Sequence, residues 1–297
     1  MKITNNLNLP RPFVEAVTKE YQYKEKRYSV TTLLKGTREA ILQRRHDNEI
    51  EQDASDMINL LFGTAVHSIL ENSQEEFTQL KEVKLVVEMP NGYELSGKFD
   101  LFDVANGVVT DYKTATVWKV IYNDWDDYRK QCLIYCWMLR KQGYDAHRGE
   151  IVALLKDFSK TKAKREANYP KYPVHRIGWD FKEEDFLEIE RWLYEKFIEI
   201  EINEKLSDEE LFLCSPEERW TNPTQYAVMK MGNKRAIKLY EVKEEAEARV
   251  QKEGPKYYVE ERKGEDKKCV EYCNCCDFCS YYKENYASKN EEGKEGE

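Results

Sequence analysis

The sequence predicts a mixed α/β (α+β) fold, in which a central sheet of parallel and antiparallel strands is flanked by helices and followed by a small cysteine-rich extension. Three observations support this prediction. Two β-rich runs meet at Asn106-Gly107, a pair typical of hairpin turns. An apolar helical segment, 128–142, separates two strand-like runs, an order typical of a parallel crossover. Five of the eight cysteines fall within residues 269–279.

Length and composition limit the class of protein. A chain of 297 residues holds one large domain or two small ones. The net charge of −9 argues against a protein that coats nucleic acid through a basic surface, although an acidic metal site and a local basic groove can coexist in one enzyme. We find no run of eighteen apolar residues, and Met1–Pro12 lacks the apolar segment of a secretion signal, so we expect a cytoplasmic protein that does not contact membranes.

The elements of the larger, N-terminal part follow from hydrophobic periodicity and turn residues. Residues 13–60 are typical of helices with breaks. The expected order after them is a helix at 63–72, a strand at 84–88, a turn at 90–92, a hairpin of strands 93–104 and 108–114, a helix at 128–142, a strand at 150–156, an edge strand at 174–179 and a helix at 181–205.

The hairpin places charged side chains on one face. If Asn106 and Gly107 form a two-residue loop, Phe102 lies opposite Asp111, and Asp100 lies opposite Lys113. Side chains alternate between faces, so Asp100, Asp111 and Lys113 share a face. Two carboxylates and an ammonium group in that arrangement can hold a hard divalent cation and polarise a water molecule. The alternative interpretation is an exposed ion pair without a role.

Two helices can add polar groups to this face. The helix at 63–72 carries His67, with Glu71 four residues later on the same side. The helix at 128–142 carries Gln131 and Tyr135, which are also four residues apart. We interpret the neighbouring pair of cysteines in that helix, Cys132 and Cys136, as thiols packed in the core.

The most basic stretch, 156–176, combines cations with two tyrosines and two prolines. We expect four of its side chains to bind DNA: Lys160, Lys162, Lys164 and Arg165. Basic and aromatic residues together are typical of grooves for single-stranded nucleic acid. A flexible polar loop is the alternative interpretation.

The segment after residue 206 differs in character. Residues 207–286 are expected to form a small cysteine-rich, metal-binding satellite domain, with strands at 226–230, 236–240 and 255–262 and a helix at 242–252. The segment 287–297 is rich in Lys, Glu and Gly, and we expect it to be a disordered tail.

Four motifs occur in a characteristic order: His67, Gly97-x-x-Asp100, Asp111-x-Lys113 and Gln131-x-x-x-Tyr135. This order resembles the RecB-like branch of the PD-(D/E)XK nuclease superfamily, which includes the CRISPR-associated and the phage-type exonucleases. The resemblance covers about residues 28–156 and extends more loosely to Cys279. The proline of the family motif is missing, because Phe99 precedes Asp100.

The resemblance implies a restriction-endonuclease-like core, residues 1–206 including its N-terminal helices, and a set of residue roles. Ligands of Mg²⁺ or Mn²⁺ would be His67, Asp100, Asp111 and the carbonyl of Tyr112. An imidazole among the ligands favours Mn²⁺. Lys113 would orient the attacking water, or help to deprotonate it, and stabilise the transition state. Gln131 and Tyr135 would position this lysine or a DNA phosphate.

The cysteine pattern also resembles one found in this branch. Its iron–sulfur members have three close C-terminal cysteines, here matched by Cys269, Cys273 and Cys279, and a distant cysteine before the His motif. No cysteine precedes Cys132 here, so the expected fourth ligand is Cys214. A local site that uses Cys275 or Cys276 is the alternative. Four cysteines would hold a [4Fe-4S] cluster or Zn²⁺.

The implied activity is metal-dependent hydrolysis of DNA, most specifically by an exonuclease of recombination, repair or phage DNA processing in a bacterium or its infected host. Single strands or duplex ends would be the substrate, and a recombination protein the partner. Two alternatives remain open: a nuclease that trims ends for CRISPR adaptation, and a catalytically inactive subunit that binds DNA. Intact Asp100, Asp111 and Lys113 argue against the inactive subunit.

Overall fold

A computed structural model describes residues 1–18, 23–74 and 76–287. The chain forms two compact units, unit 1 from Met1 to Leu206 and unit 2 from Ser207 onward. Of the tail that we expect to be disordered, Ala287 ends a short π-helical turn, Lys283–Ala287. The rest of that tail, 288–297, lies outside the described residues.

Unit 1 alternates strands and helices along the sequence. Its strands within the described residues are β1 (Lys2–Thr4), β2 (Arg27–Ser29), β3 (Glu51–Asp53), β4 (Gln79–Lys81), β5 (Lys84–Glu88), β6 (Glu94–Lys98), β7 (Leu101–Asp103), β8 (Val108–Ala115), β9 (Arg148–Leu155) and β10 (Val174–Asp180). Its helices in the same ranges are α1 (Arg11–Val17), α2 (Val30–Leu33), α3 (Thr37–Arg45), α4 (Ile58–Glu71), α5 (Val117–Ile121), α6 (Asp126–Lys141), α7 (Lys160–Arg165) and α8 (Glu183–Asn203).

The central sheet is mixed, as the sequence predicts. Its strand order is β10-β9-β8-β7-β4, in which β8 and β9 run parallel and the other neighbours run antiparallel. Helix α6 makes the crossover between β8 and β9. Helices α4 and α6 both contact β8, and α8 packs on α6. The predicted sheet flanked by helices is therefore confirmed, as are the parallel strand β9 and the edge strand β10.

Helix α6 is the centre of the hydrophobic core. Its first turn carries Asp126 and Asp127, and its last turn carries Arg140 and Lys141, so charges of favourable sign lie at both ends of the helix dipole. The intervening segment from Gln131 to Leu139 is buried at every position. Burial on all sides follows because the helix lies between the sheet and α8.

The register of the β7–β8 hairpin differs from the prediction by two residues. Asp103 pairs with Val108, and Leu101 pairs with Thr110, so the loop has four residues rather than two. The Asp103 carboxylate causes this difference, because it accepts hydrogen bonds from the backbone N–H groups of Ala105 (3.1 Å) and Asn106 (3.2 Å). A shift of two leaves every side chain on its predicted face, because the strand period is also two.

The predicted strand 93–104 is broken in the middle. Its first half, β6, pairs with β2 and β5 in a separate three-stranded sheet, and its second half, β7, belongs to the central sheet. The break falls at Phe99 and Asp100. Phe99 is fully buried and packs edge-on against Phe102, with ring centroids 6.2 Å apart. This anchoring turns Asp100 out of regular pairing and toward β8.

Unit 2 contains a small antiparallel sheet of strand order β12-β11-β13. Its elements within the described residues are α9 (Pro216–Arg219), β11 (Gln225–Lys230), β12 (Lys238–Tyr240), α10 (Lys243–Glu253), β13 (Tyr257–Arg262), α11 (Lys267–Glu271) and α12 (Ser280–Tyr282). The predicted strands and helix between 225 and 262 are confirmed. Among the described helices of the whole chain, none combines the length and the hydropathy that a membrane span requires.

Candidate active site

The break between β6 and β7 creates a polar gap beside β8. The pairing of β8 with β7 ends at Thr110, so the backbone edge of the next residues of β8 is open toward this gap. The N–H of Tyr112 donates a hydrogen bond of 2.7 Å to Oδ2 of Asp100 across the gap. A strand residue directs its N–H and its C=O to the same edge, so the Tyr112 carbonyl also faces the gap.

A compact group of potential ligands lies at this gap. Nδ1 of His67 is 3.1 Å from Oδ1 of Asp100 and 3.9 Å from Oε1 of Glu82, and one ligand atom from each of the three residues lies within 4.8 Å of the others. The hydrogen bond to Asp100 raises the pKa of His67 although burial opposes it. The structure thus brings together His67 and Asp100 as the sequence predicts, and adds Glu82.

Glu82 is absent from the residues that the sequence motifs indicate, although a signal for it exists. Strands β5 and β6 pair Lys84 with Lys98, and continuing that register places Glu82 opposite Asp100. The N–H of Glu82 does donate a 3.1 Å hydrogen bond to the Asp100 carbonyl. The Glu82 side chain is only 9% exposed and forms an ion pair with Lys98. Extending the pairing of strands 84–88 and 94–98 by two residues would therefore have identified this carboxylate.

Asp111 and Lys113 form a second cluster on β8. The Lys113 ammonium lies 2.5 Å from Oδ2 of Asp111, whose side chain is 3% exposed. Burial raises the pKa of Asp111, and the charge of Lys113 offsets only part of that effect. Burial alone would lower the pKa of Lys113, but the Asp111 carboxylate outweighs it, so the pKa of the ammonium is raised. Asp111 is not a member of the compact group around Asp100.

Helix α6 supplies the other two predicted residues. Nε2 of Gln131 donates a 3.3 Å hydrogen bond to the Tyr135 hydroxyl, and both side chains are buried. Burial raises the pKa of Tyr135 to about 12, so its hydroxyl keeps its proton and can donate it in a hydrogen bond. A Cβ at Gly97 would lie 2.7 Å from the Tyr135 ring. Glycine at this position therefore lets the tyrosine pack directly on β6.

The donor set fits a divalent cation. Carboxylate oxygens and an imidazole nitrogen are ligands that Mg²⁺ and Mn²⁺ accept, with the imidazole favouring Mn²⁺. Glu82 and Asp100 belong to the compact group, and Asp111 lies beside it on β8. Two of these carboxylates are paired with lysines, Glu82 with Lys98 and Asp111 with Lys113. Additional positive charge would stabilise this arrangement.

A family model of the PD-(D/E)XK nuclease superfamily matches residues 25–281. The chain belongs to the PD-(D/E)XK nuclease superfamily. The predicted resemblance and the restriction-endonuclease-like fold are thereby confirmed, and the chain is placed among nucleases, which typically use divalent metal ions.

Other comparisons add distant similarities. The chain is similar to the solved structure of SSO0001, at 18% identity and a TM-score of 0.44, over 63% of this chain and 82% of that one. It is also similar to a phage related exonuclease from Haemophilus somnus 129PT, at 9% identity and a TM-score of 0.26, over 55% of this chain and 71% of that one. No curated protein matches the chain.

Unit 2 of the nuclease gathers the predicted cysteine ligands into one neighbourhood. Burial raises the pKa of Cys269 to about 12, with further contributions from the charges of Asp266 and of three thiols: Cys273, Cys214 and Cys279. The Sγ atoms of Cys273 and Cys275 are 3.5 Å apart, so Cys275, which is fully buried, also lies close. Cys276 also lies close enough to Cys273 for that thiol to affect its pKa, so the fourth ligand stays a prediction among Cys214, Cys275 and Cys276.

Asp266 links the two segments of unit 2 that carry these cysteines. Its carboxylate forms an ion pair with Arg219 (3.1 Å) and accepts hydrogen bonds from Thr221 and from Tyr281 (2.6 Å). Nη1 of Arg219 also donates to the carbonyl of Cys214 at 2.5 Å. This network holds the Cys214 segment beside the C-terminal cysteines.

The predicted DNA-binding cations lie on helix α7 of unit 1. Ser159 caps this helix by accepting a hydrogen bond from the backbone N–H of Lys162. All four predicted side chains are exposed: Lys160, Lys162, Lys164 and Arg165. This part of the basic stretch, for which a flexible loop was the alternative, is therefore an ordered helix that presents its charges from fixed positions after β9.

The expectation for the two cysteines of α6 is also met. Cys132 and Cys136 are both fully buried among the core side chains. Burial raises the pKa of each thiol, so both keep their protons and pack as small apolar groups. These two cysteines are therefore structural and take no part in the candidate metal sites.

Proposed function

We propose that the nuclease hydrolyses phosphodiester bonds in DNA with Mg²⁺ or Mn²⁺, and that it acts as an exonuclease on single strands or duplex ends in recombination, repair or phage DNA processing. One observation supports this proposal above the others. The His67–Asp100–Glu82 group and the Asp111–Lys113 pair flank the same open edge of β8. An exposed ion pair without a role would not need this convergence of buried charge.

Each side chain of the candidate site has a distinct proposed role. His67, Asp100 and Asp111, together with the Tyr112 carbonyl, would hold the cation, and Glu82 would orient the imidazole or join the ligands. When bound, the cation supplies Lewis-acid stabilisation of charge on the phosphate and lowers the pKa of water. Lys113, held in place by Asp111, offers an ammonium group to the oxygens that gain negative charge in the transition state.

Gln131 and Tyr135 are positioning residues in this scheme. Their mutual hydrogen bond fixes the direction of the tyrosine hydroxyl. A buried hydroxyl with a fixed direction can donate to a DNA phosphate or hold the lysine without loss of side-chain entropy during the reaction. Their place on the fully buried segment of α6 gives these groups a rigid support.

Helix α7 is the proposed contact for the DNA backbone. Its four exposed cations follow β9 directly, and the ring of Tyr169 lies 5.9 Å from the Lys162 ammonium. Neutralising phosphates with lysine and arginine provides affinity without base specificity. The overall charge of −9 makes such a local basic surface the expected way for this chain to hold DNA.

We propose a second metal site in unit 2, formed by Cys269, Cys273, Cys279 and a fourth cysteine, which is Cys214 or, in a local site, Cys275 or Cys276. Thiolates in this number suit a [4Fe-4S] cluster or Zn²⁺. Burial raises the pKa of Cys269, and the charges of Asp266 and of the neighbouring thiols contribute, which supports placing these thiols in one site. The expected function of this site is structural, because the small sheet of unit 2 offers little core of its own.

Digestion of end-labelled linear DNA tests the proposed activity. We expect anaerobically purified protein to release short products from linear single or double strands in Mn²⁺, to spare closed circular DNA, and to lose all cleavage with EDTA. Cleavage of closed circles would instead show endonuclease action. Binding of linear DNA without any cleavage would favour the inactive subunit over the enzyme.

A further inference from the structure

An apolar groove adjoins the candidate active site. It lies between α4 and the carboxyl ends of β8 and β9, and we name it the α4 groove. Its lining includes Phe62, Val66, Thr114, Leu155, Lys156 and Val174. Its volume of about 480 Å³ falls in the range of about 300–1,000 Å³ that is typical of small-molecule sites. It is therefore large enough to take a planar aromatic group.

The α4 groove lies on two of the elements that carry the candidate site. Val66 in its wall directly precedes His67 on α4. Thr114 directly follows Lys113 on β8, so its side chain lies on the opposite face of the sheet from Asp111 and Lys113. The carboxyl ends of parallel strands are the edge of an α/β sheet where ligands usually bind. A DNA strand that occupies both the groove and the candidate site must therefore pass around the carboxyl end of β8.

The groove combines exposed apolar side chains with positive charge. Phe62 on α4 and Val174 on β10 are both 48% exposed. The exposed Lys156 lies in the lining, and the four cations of α7 follow it closely in the sequence. A ligand that matches this surface must offer an apolar, planar part and negative charge, as a nucleotide does.

We propose that the α4 groove receives an unstacked base of the DNA strand that is being cut, at the carboxyl end of β8, while Lys156 contacts a neighbouring phosphate. This inference rests on the proposed function and specifies its substrate. A base inside a duplex is stacked and paired, so only a single strand or a frayed end can present a base to the groove without the cost of flipping it out.

The test measures how much the bases, as distinct from the backbone, contribute to binding. Fluorescence anisotropy follows binding of a short labelled oligothymidylate and of an abasic oligonucleotide of equal length and charge, in Ca²⁺, to the whole protein. Wild type is expected to bind the base-containing strand about 5- to 150-fold more tightly, the range for loss of one stacked base. Phe62→Ala is expected to reduce this ratio to less than about twofold.

Matched variants separate the groove from the rest of α4. Ile69 is 72% exposed on the same helix but does not line the groove, so Ile69→Ala should keep the wild-type ratio. Val174→Ala, on the opposite wall of the groove, should also lower the ratio of the two affinities. It replaces Phe62→Ala as the test variant if Phe62→Ala has a much lower melting temperature than wild type. An unchanged ratio in Phe62→Ala and Val174→Ala overturns the proposal. An equal loss in Phe62→Ala and Ile69→Ala also overturns it, because the effect would then not depend on the residues that line the groove.

Cleavage of the same oligonucleotides in Mn²⁺ is read separately. If binding depends on the bases through Phe62 but no cleavage occurs, the groove proposal is supported and the proposed nuclease activity is contradicted. If cleavage occurs but the ratio of the two affinities does not change in Phe62→Ala, the nuclease proposal is supported and the groove proposal is contradicted. Absence of binding to either oligonucleotide overturns both proposals.

Discussion

Asp111→Asn is expected to lower the rate of metal-dependent DNA cleavage by at least about 10²–10³-fold, the loss that follows removal of one preorganised active-site group. The substitution keeps the shape of the side chain and removes the charge that holds Lys113 at 2.5 Å. It therefore removes a proposed cation ligand and releases the ammonium group from its position. The measurement is the initial rate on end-labelled linear DNA in saturating Mn²⁺.

Loss of activity must be separated from loss of folding, because Asp111 is buried. Removing one partner of a buried ion pair leaves an uncompensated charge, which destabilises the protein. The double variant Asp111→Asn/Lys113→Met removes both charges, so we expect it to melt closer to wild type and to stay inactive. A folded Asp111→Asn variant that cleaves at the wild-type rate would show that Asp111 has no part in catalysis.

Cys273→Ser is expected to produce the largest loss of stability in unit 2. One thiolate fewer weakens a four-cysteine site, and binding free energy of a structural metal contributes directly to folding, by about 10–16 kcal/mol in small zinc peptides. We expect loss of bound metal, a lower melting temperature and increased proteolysis between residues 207 and 286. Metal and sulfide analysis of anaerobically purified protein, with the visible absorbance of an iron–sulfur cluster, distinguishes [4Fe-4S] from Zn²⁺.

Further variants identify the fourth ligand. Cys214→Ser should remove the metal if the distant cysteine is a ligand, and either Cys275→Ser or Cys276→Ser should remove it if the site is local. Wild-type protein that contains neither zinc nor iron and sulfide, and a Cys273→Ser variant that melts normally, would together show that these cysteines bind no metal.

The face of each candidate site residue on the hairpin could be predicted from sequence, and the exact register could not. Asp111 and Lys113 share a face because they are two residues apart on β8. A loop of four residues in place of two keeps the even parity on which the predicted face of Asp100 depends. The loop length depends on the Asp103 carboxylate, which accepts hydrogen bonds from the loop backbone. Side-chain capping of this kind competes with the turn preference of Asn106-Gly107.

Two features depend on tertiary packing and could not be predicted from local sequence patterns: the strand break at Asp100 and the exposure of α4. The strand break at Asp100 depends on burial of Phe99 against Phe102, a contact within the finished core. Hydrophobic periodicity predicted the helix that became α4, but it could not show which of its apolar side chains are covered by other parts of the protein. Ile69 is exposed, and Phe62 lines a groove, so that helix is less buried than its sequence suggests.

Binding of Mn²⁺ to the free protein tests the central claim most directly, because the claim is that the polar gap beside β8 holds a divalent cation. Isothermal titration of wild type is compared with Asp100→Asn and with Glu88→Gln, a control on the neighbouring strand β5. We expect wild type and Glu88→Gln to bind Mn²⁺ alike, and Asp100→Asn to bind it at least about 10- to 100-fold more weakly. Equal Mn²⁺ affinity in wild type and folded Asp100→Asn would contradict the assigned metal site.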